Sequence, residues 1–342
     1  MKVLFIGQSF GNSYLQYQSL KINYKKVDLI DTKEILPFPW IAHKIFHHIS
    51  PFIFEFIINK RILIKVKKKY DLIYVKSGEL IGKSLIFKLK KKTKKIIFFC
   101  NDNPFISRDK KRWMLFLSAA KYFDLIIYQD ISRIKLAKKI GLKNSLLVLP
   151  PYDKRIHKQR KISKNIKKKF KSDVVFIGTW YPERGIFFKK LIDLGLNIKI
   201  YGSRWYKDPN YNFLKSNISL GHFANSKYSK IIQNSKIAIC LFADDNLDTI
   251  TARSMEIPAI GTLMCSFRTA KMKKTLIENK EAIYFSSVNE CFKKCQYFLN
   301  NPKLSKKIAK KGNIKVCKIL KANNDMLIRK IFNKVFNNRI SN

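Results

Sequence analysis

The residues best suited to chemistry lie between Asp248 and Thr262, in the sequence Asp-Thr-Ile-Thr-Ala-Arg-Ser-Met-Glu-Ile-Pro-Ala-Ile-Gly-Thr. Arg253 can neutralise a phosphate, because a guanidinium pairs well with phosphate oxygens. Glu256, three positions later, can accept two hydrogen bonds from the diol of a ribose. The alternative is that Arg253 and Glu256 pair with each other on a helix surface, where residues three apart are neighbours.

A short helix is needed to position these side chains. We expect Thr249 or Thr251 to cap its start and Pro258 to stop it. The free N–H groups of its first turn would then hold a diphosphate. Thr251 is therefore a third binding candidate beside Arg253 and Glu256.

A second block of candidates lies earlier in the chain. Val174–Gly178 predicts a strand that ends in glycine, and Arg184 follows at the start of a helix. A glycine at this point lets a ligand approach the backbone, and Arg184 can contact a phosphate. Ile198–Gly202 is a second strand with a terminal glycine, followed by Trp205, which either stacks on a ligand or lies in the core. The alternative for this block is ordinary strand-end glycines and an exposed arginine.

Short apolar runs alternate with longer helical stretches along the whole chain, which predicts an α/β fold with two parallel, doubly wound sheets. Ligands of such sheets bind at the carboxyl ends of the strands, where the candidate glycines lie. We expect an N-terminal domain over 1–155, a basic linker over 156–171, a C-terminal domain over 172–320 and a C-terminal helix over 321–342. Packing of this last helix back on the N-terminal domain is left open as an alternative. The ten predicted strands are Val3–Gly7, Asp71–Val75, Lys95–Cys100, Leu125–Gln129, Leu146–Pro150, Val174–Gly178, Ile198–Gly202, Ile237–Phe242, Gly261–Cys265 and Ala282–Ser286.

The N-terminal half offers three further candidates. Gly7 ends the first predicted strand and opens a turn. Asp102 follows a buried strand and can act as an acceptor-binding or basic carboxylate; its alternative is an Asx turn before Pro104. Glu79 is a similar candidate with less support.

The two C-terminal blocks resemble group 1 glycosyltransferases, in particular the branch related to spore-maturation (CgeB-like) glycosyltransferases. The stretch Arg253–Gly261 is similar to the Arg-Ser/Thr-Phe/Met-Glu-x-x-Ala/Gly-x-Gly pattern of that branch. The C-terminal half also resembles that branch in the order of its parts, which are a strand, Gly178, Arg184, a helix, a second strand, Gly202 and Trp205. The resemblance covers roughly residues 172–319 and is looser in the N-terminal half.

The resemblance implies a GT-B fold, with two Rossmann-like domains that face each other across a cleft. It implies that Glu256 binds the ribose of a nucleotide sugar and that Asp248, eight positions before it, contacts the transferred sugar. The donor side would then be formed by Gly178, Arg184, Gly202, Asp248, Thr251, Arg253 and Glu256. Gly7, Glu79 and Asp102 would form the acceptor side.

The expected activity is therefore transfer of a sugar from a nucleoside-diphosphate sugar to a hydroxyl of a glycan or lipid-linked acceptor. Arg184, Arg253 and Asp102 are the catalytic candidates. The sequence has no Asp-x-Asp for a metal clamp, so we expect no metal or other cofactor, with arginines and a helix start stabilising the leaving diphosphate. Motifs of P-loop ATPases, zinc proteases and serine hydrolases do not occur either. The rival hypothesis is a non-catalytic GT-B protein that binds a sugar nucleotide or glycan.

The charge of the chain is strongly positive, +47, with 70 Lys and Arg against 23 Asp and Glu. Only 12 of the basic residues are Arg, the residue that reads bases and phosphates best, so we do not expect nucleic acid as a partner. Lysine clusters flank the apolar, aromatic stretch Ile45–Ile64, which makes an anionic membrane surface a candidate partner. The alternative is a coding bias toward lysine that scatters charge over solvated faces.

The six cysteines lack the spacing of a zinc site, and three of them lie in apolar runs, as reduced thiols do. The N-terminus lacks a signal-peptide pattern, and the charges within Ile45–Val66 argue against a membrane span. We therefore expect a cytoplasmic protein, with peripheral contact at the inner membrane face as a further hypothesis.

Overall fold

The computed structural model describes residues 1–336, apart from the side chains of Pro39, Trp40, His43 and Asp244. The described chain forms two compact units. The first contains Met1–Leu149, Ala243–Asp248 and the chain from Asn324 onward, and the second contains Pro150–Phe242 and Thr249–Asn323. The last six residues of the predicted C-terminal helix, 337–342, lie outside the described residues.

The first unit is built on a six-stranded parallel sheet of order β2-β1-β3-β4-β5-β6. Its strands are β1 Lys2–Gly7, β2 Lys26–Asp31, β3 Tyr70–Val75, β4 Thr93–Cys100, β5 Leu125–Tyr128 and β6 Ser145–Leu147. Its helices before residue 150 are α1 Gly11–Asn23, α2 Pro39–His48, α3 Glu55–Lys65, α4 Lys83–Lys90, α5 Met114–Ala119 and α6 Ile131–Lys139.

The second unit is also built on a six-stranded parallel sheet, of order β12-β11-β10-β7-β8-β9. Its strands are β7 Ser172–Ile177, β8 Ile198–Gly202, β9 Ile218–Leu220, β10 Ser235–Cys240, β11 Leu263–Phe267 and β12 Ile283–Phe285. Its helices are α7 Lys164–Phe170, α8 Pro182–Asp193, α9 Tyr211–Leu214, α10 Asn225–Gln233, α11 Arg253–Ile260, α12 Ala270–Thr275, α13 Val288–Asn300 and α14 Pro302–Ile314. The stretch 156–171, expected as a linker, groups with this unit and contains α7.

The last described helix, α15 Asn324–Phe336, belongs to the first unit. Alternate residues of β1 face opposite sides of the sheet, as the pleat requires. Leu4 and Ile6 join one apolar cluster, whereas Val3 and Phe5 join a second cluster with Ile328 and Ile331 of α15. One face of the first sheet is therefore completed by the C-terminal end of the chain.

The prediction of five strands per sheet was wrong by one strand in each. The missing strands are β2, which is mostly half-buried, and β9, which has only three residues and two exposed positions. Both lie at a sheet edge, so neither needs the continuous apolar run by which the central strands were recognised. Within residues 1–336, no helix has the length and apolar character needed to cross a bilayer.

Candidate active site

Arg184 connects two strand ends at the centre of the second sheet. Its guanidinium donates to the carbonyl of Thr179, after β7, at 2.7 Å and to the carbonyl of Phe242, after β10, at 3.3 Å. The strand order changes direction between β7 and β10, and ligands of doubly wound sheets bind in the crevice at that point. The structure therefore places Arg184 where such a sheet binds its ligand.

Arg184 and Arg253 form a local concentration of positive charge. Burial, and after it the charge of Arg253, lowers the pKa of Arg184 to about 10. The buried Nε of Arg184 has no hydrogen-bond partner among the described residues. Within that part of the chain neither guanidinium forms an ion pair with a carboxylate. Two adjacent cations without a counter-ion attract an anionic ligand.

Gly178 and Gly202 pack against each other at the carboxyl ends of β7 and β8. A Cβ on Gly202 would lie 1.9 Å from the carbonyl oxygen of Gly178. The indole N–H of Trp205, which is fully buried, donates to the same oxygen at 2.9 Å. Trp205 is thus a core residue, and Gly202 is required by the close approach of the two backbones.

Helix α11 begins at Arg253 without the threonine cap expected from the sequence. Ala252 is the N-cap, and its own backbone is already helical, so the cap geometry that threonine needs is not formed. Backbone carbonyls satisfy the first-turn N–H groups instead, since Ser254 donates to the carbonyl of Thr251 at 3.0 Å and Met255 donates to that of Ala252 at 2.9 Å. The buried hydroxyl oxygen of Thr251 has no partner among the described residues.

Pro258 does not stop α11, as was expected, but lies inside it. The helix continues to Ile260 and ends at Gly261, which has a φ of 90°. A left-handed glycine is the usual residue just after a helix. The signal for the helix end was therefore Gly261, three residues beyond the proline.

Glu256, in the first turn of α11, is buried and does not pair with Arg253. Its carboxylate faces His157 instead, with 3.8 Å between Oε1 and the Nε2 of His157. The Nδ1 of His157 accepts a hydrogen bond from the N–H of Asp153 at 2.9 Å, so neutral His157 carries its proton on Nε2, toward Glu256. The surface ion pair considered from the sequence is therefore not formed.

His157 is a site residue that the sequence analysis missed, because it lies in the lysine-rich stretch taken as a linker. Its ring is buried and packs edge-on against Tyr228, with 5.8 Å between the ring centroids. Burial, and after it the negative charge of Glu256, raises the pKa of Tyr228. His157 and Tyr228 together enclose the Glu256 carboxylate.

Asp248 belongs to the short segment Ala243–Asp248, which groups with the first unit. Its Oδ1 accepts from Arg133 at 2.5 Å and from the side-chain amide of Asn246 at 2.8 Å. Asn246 also accepts from the backbone N–H of Asn103 at 3.0 Å. Burial raises the pKa of Asp248 to about 6, and the charge of Arg133 acts against that rise. Asp248 is thus bound within the first unit, whereas Arg253 and Glu256 lie in the second.

Gly7 ends β1 at the point where the strand order of the first sheet changes direction. A Cβ on Gly7 would lie 2.9 Å from the Cβ of Lys76, which follows β3. Lys76, another residue missed from the sequence, is buried and donates to the side-chain oxygen of Asn101 at 2.8 Å. Burial lowers the pKa of Lys76 well below its usual range.

Asp102 and Glu79 meet at a pair of arginines. Arg108 lies 3.3 Å and Arg112 lies 3.5 Å from the Asp102 carboxylate, and Arg112 also donates to Glu79 at 3.2 Å. The Asx turn in this loop is formed by the next residue, Asn103, whose side-chain oxygen accepts from the N–H of Phe105. The structure thus brings these two acceptor-side candidates into one charged cluster.

A cluster of three thiols lies in the core of the second unit. The Sγ atoms of Cys265, Cys291 and Cys295 all lie within 4.8 Å of one another, and all three residues are fully buried. Cys265 comes from β11 and the other two come from α13, so their spacing along the chain does not predict the trio. The thiols pack in the same apolar cluster as Phe176, Phe285 and Phe298.

Residues 184–324 match the protein family described as "Glycosyl transferase-like". The match begins at Arg184 and includes Arg253 and Glu256. No curated protein matches the chain by sequence.

Solved structures match the fold over nearly the whole chain. Sucrose-phosphate synthase from Thermosynechococcus elongatus has a TM-score of 0.70 and 9% identity, over 99% of this chain and 100% of that one. Anabaena HepE in complex with UDP-glucose has a TM-score of 0.67 and 11% identity, over 98% of this chain and 100% of that one. TarM of S. aureus, solved with fondaparinux, α-GlcNAc-glycerol and UDP, has a TM-score of 0.58 and 14% identity, over 82% of this chain and 58% of that one. This protein has the GT-B fold of glycosyltransferases, and its second unit contains a region similar to the glycosyl transferase-like family.

Proposed function

We propose that the protein is a glycosyltransferase, which transfers a sugar from a nucleoside-diphosphate sugar to a hydroxyl of a glycan or lipid-linked acceptor. The observation that carries the proposal is the pair Arg184 and Arg253. Neither forms an ion pair with a carboxylate in the described part of the chain, and Arg253 lies in the same helix as Glu256. The family match of residues 184–324 and the complexes of HepE with UDP-glucose and of TarM with UDP support the same activity.

The two arginines would act on the leaving diphosphate. Negative charge grows on the diphosphate as its bond to the sugar breaks, and fixed cations stabilise that charge without reorganisation. Arg184 is already oriented by the carbonyls of Thr179 and Phe242, and its Nε still lacks a hydrogen-bond acceptor among the described residues. A ligand with two phosphates would relieve the repulsion between the guanidiniums. We therefore propose catalysis without a metal ion.

Glu256 would hold the ribose hydroxyls of the donor. Its carboxylate is enclosed by His157 and Tyr228, which restrict its rotamers and so favour a single geometry for the diol. Gly178 and Thr251 are proposed to contact the donor beside it, and Gly202 to hold the Gly178 backbone in place. Asp248 keeps its proposed contact with the transferred sugar through Oδ2, since the bonds to Arg133 and Asn246 use Oδ1.

On the acceptor side we propose Gly7, Glu79 and Asp102, with Asp102 as the carboxylate that acts on the acceptor hydroxyl. The arginines beside Asp102 fix its position. We place the reaction in the cytoplasm, where reduced thiols such as the Cys265, Cys291 and Cys295 trio persist. The second candidate function is a non-catalytic binding protein for a sugar nucleotide or glycan.

A thermal-shift panel of UDP-, GDP-, dTDP- and CMP-sugars tests the donor site. One nucleotide class should stabilise the wild type, and Glu256→Ala should lose that shift. Asp193→Ala is the matched control, because it removes an exposed carboxylate from the end of α8 and should keep the shift. Release of the nucleoside diphosphate in the presence of acceptors then separates an enzyme from a binding protein. The proposal fails if no nucleotide sugar stabilises the wild type or if Glu256→Ala responds like the control.

A further inference from the structure

The first unit carries a set of large apolar side chains that face solvent between residues 38 and 64. We call it the 38–64 surface; its members are Phe38, Ile41, Ile49, Phe52, Ile53, Phe56 and Ile64. Phe38 is 74% exposed and Phe56 is 76% exposed, values usual for lysine rather than phenylalanine. Contiguous exposed apolar patches on a folded protein mark an interaction site.

The 38–64 surface is held by regular structure that is anchored from beneath. It spans α2, the 3-10 turn Pro51–Phe54 and α3, which follow one another along the chain. The inner sides of both helices are buried, through Phe46 of α2 and Ile62 of α3, and Phe46 stacks on Phe54 of the turn with centroids 6.3 Å apart. The outward apolar side chains are therefore not needed to fill the core of the first unit.

Basic residues accompany this surface. Residues 35–69 contain seven Lys and Arg and one carboxylate, Glu55. Two of the seven, Lys65 and Lys68, form ion pairs with carboxylates that precede this stretch. Lys60 lies on the same stripe of α3 as Phe56 and Ile64, because positions four apart share a helix face. A long lysine side chain can cover apolar surface with its methylenes and keep its ammonium in a polar layer.

We propose that the 38–64 surface docks on an anionic lipid bilayer, with its phenylalanine and isoleucine side chains in the acyl boundary and its lysines at the headgroups. A bilayer interface offers an apolar layer beside a negatively charged one, and α3 presents Phe56 and Ile64 on the same stripe as Lys60. A protein partner with an apolar centre would have to bury Lys60 among its own apolar side chains. The proposal goes beyond sugar transfer, since it stands on residues of the first unit that take no part in the donor site.

Flotation of the full-length protein with vesicles tests the proposal. Neutral phosphatidylcholine vesicles are compared with vesicles that also contain phosphatidylglycerol. We expect binding to the anionic vesicles that weakens at raised salt, and much weaker binding to the neutral ones. Phe52→Ser/Phe56→Ser should reduce binding roughly tenfold through lost apolar insertion.

The matched control is Phe213→Ser, which removes a phenylalanine about as exposed as Phe52 (45% against 42%) from the second unit and should bind as the wild type does. Because all three side chains are exposed, thermal unfolding should verify that each variant remains folded. The proposal is overturned if the wild type ignores anionic vesicles, if neutral vesicles bind it equally, or if the double variant binds unchanged. A dimer of the wild type that the double variant disperses would also overturn it, because the surface would then be covered by a second copy.

Discussion

Arg184 and Arg253 place two positive charges close together. Two carbonyl oxygens, the Tyr181 ring and the charge of Glu183 compensate Arg184 only in part, since its pKa is still lowered. Such an arrangement is unfavourable for folding and favourable for binding an anion. Binding sites often retain an unfavourable interaction, here the repulsion between two guanidiniums, that the bound ligand relieves.

Replacing Arg253 with Gln should therefore separate stability from function. The pKa of Arg184 should rise toward its ordinary value, and the free energy of unfolding should stay constant or increase by up to about 1 kcal/mol. Turnover should fall by roughly 100-fold, because one of the groups that stabilises the leaving diphosphate is lost. Urea unfolding and nucleoside-diphosphate release measure the two effects. A variant that loses stability and keeps its turnover would contradict the proposed role.

His157 should influence donor affinity through Glu256. In His157→Asn the side-chain oxygen can still accept from the N–H of Asp153, but nothing reaches Glu256. We expect the Kd of the stabilising nucleotide to rise roughly three- to tenfold, with partial recovery in His157→Gln, whose longer amide reaches further. Calorimetric titration gives both constants. Equal affinity in wild type and both variants would show that His157 only fills space.

At the scale of elements, the segment Ala243–Asp248 is bonded to other residues of the first unit, since Asn246 accepts from the N–H of Asn103 and Asp248 accepts from Arg133. The pKa of Asp248 is raised to about 6 by burial, above the ordinary 3.8. A raised carboxyl pKa means that the contribution of this group to stability is greatest below pH 4 and declines as pH rises through 6.

The difference in unfolding free energy between wild type and Asp248→Asn isolates this effect, since the other carboxyls titrate alike in both proteins. We expect the stability of the wild type relative to the variant to fall by about 2–3 kcal/mol between pH 4 and pH 7. Denaturant unfolding at several pH values measures it. A difference that stays constant or grows with pH would contradict the assignment.

The sequence predicted the α/β class and the central strands because their apolar runs are continuous, and it placed Arg184, Arg253 and Glu256 on helix starts that the structure also has. It could not reveal that Glu256 faces His157, 99 positions earlier, because that contact depends on how a lysine-rich stretch packs. Lys76 was missed for the same reason, since its partner Asn101 follows a different strand. The helix α11 was found, but its cap was misassigned because Ala252 is already helical.

At the scale of the whole molecule, the first unit depends on α15. Ile331 is fully buried in the cluster that also contains Val3 and Phe5, and Tyr24 of the N-terminal region stacks on Phe332 with centroids 4.3 Å apart. Ile331→Ala should therefore lower the free energy of unfolding by about 2–5 kcal/mol. The exposed neighbour Lys330→Ala should change it by less than about 0.5 kcal/mol. Similar stabilities of the two variants in urea would show that α15 contributes little.

The position of α15 after the second unit along the chain has a consequence for biosynthesis. A ribosome releases residues 1–149 long before it makes Asn324–Phe336, so Val3, Phe5 and their neighbours lack the cover that α15 provides while the second unit is being translated. The first unit is complete only after α15 has been made. Messages truncated before the codons for Asn324–Phe336 should therefore yield products that aggregate through their N-terminal half.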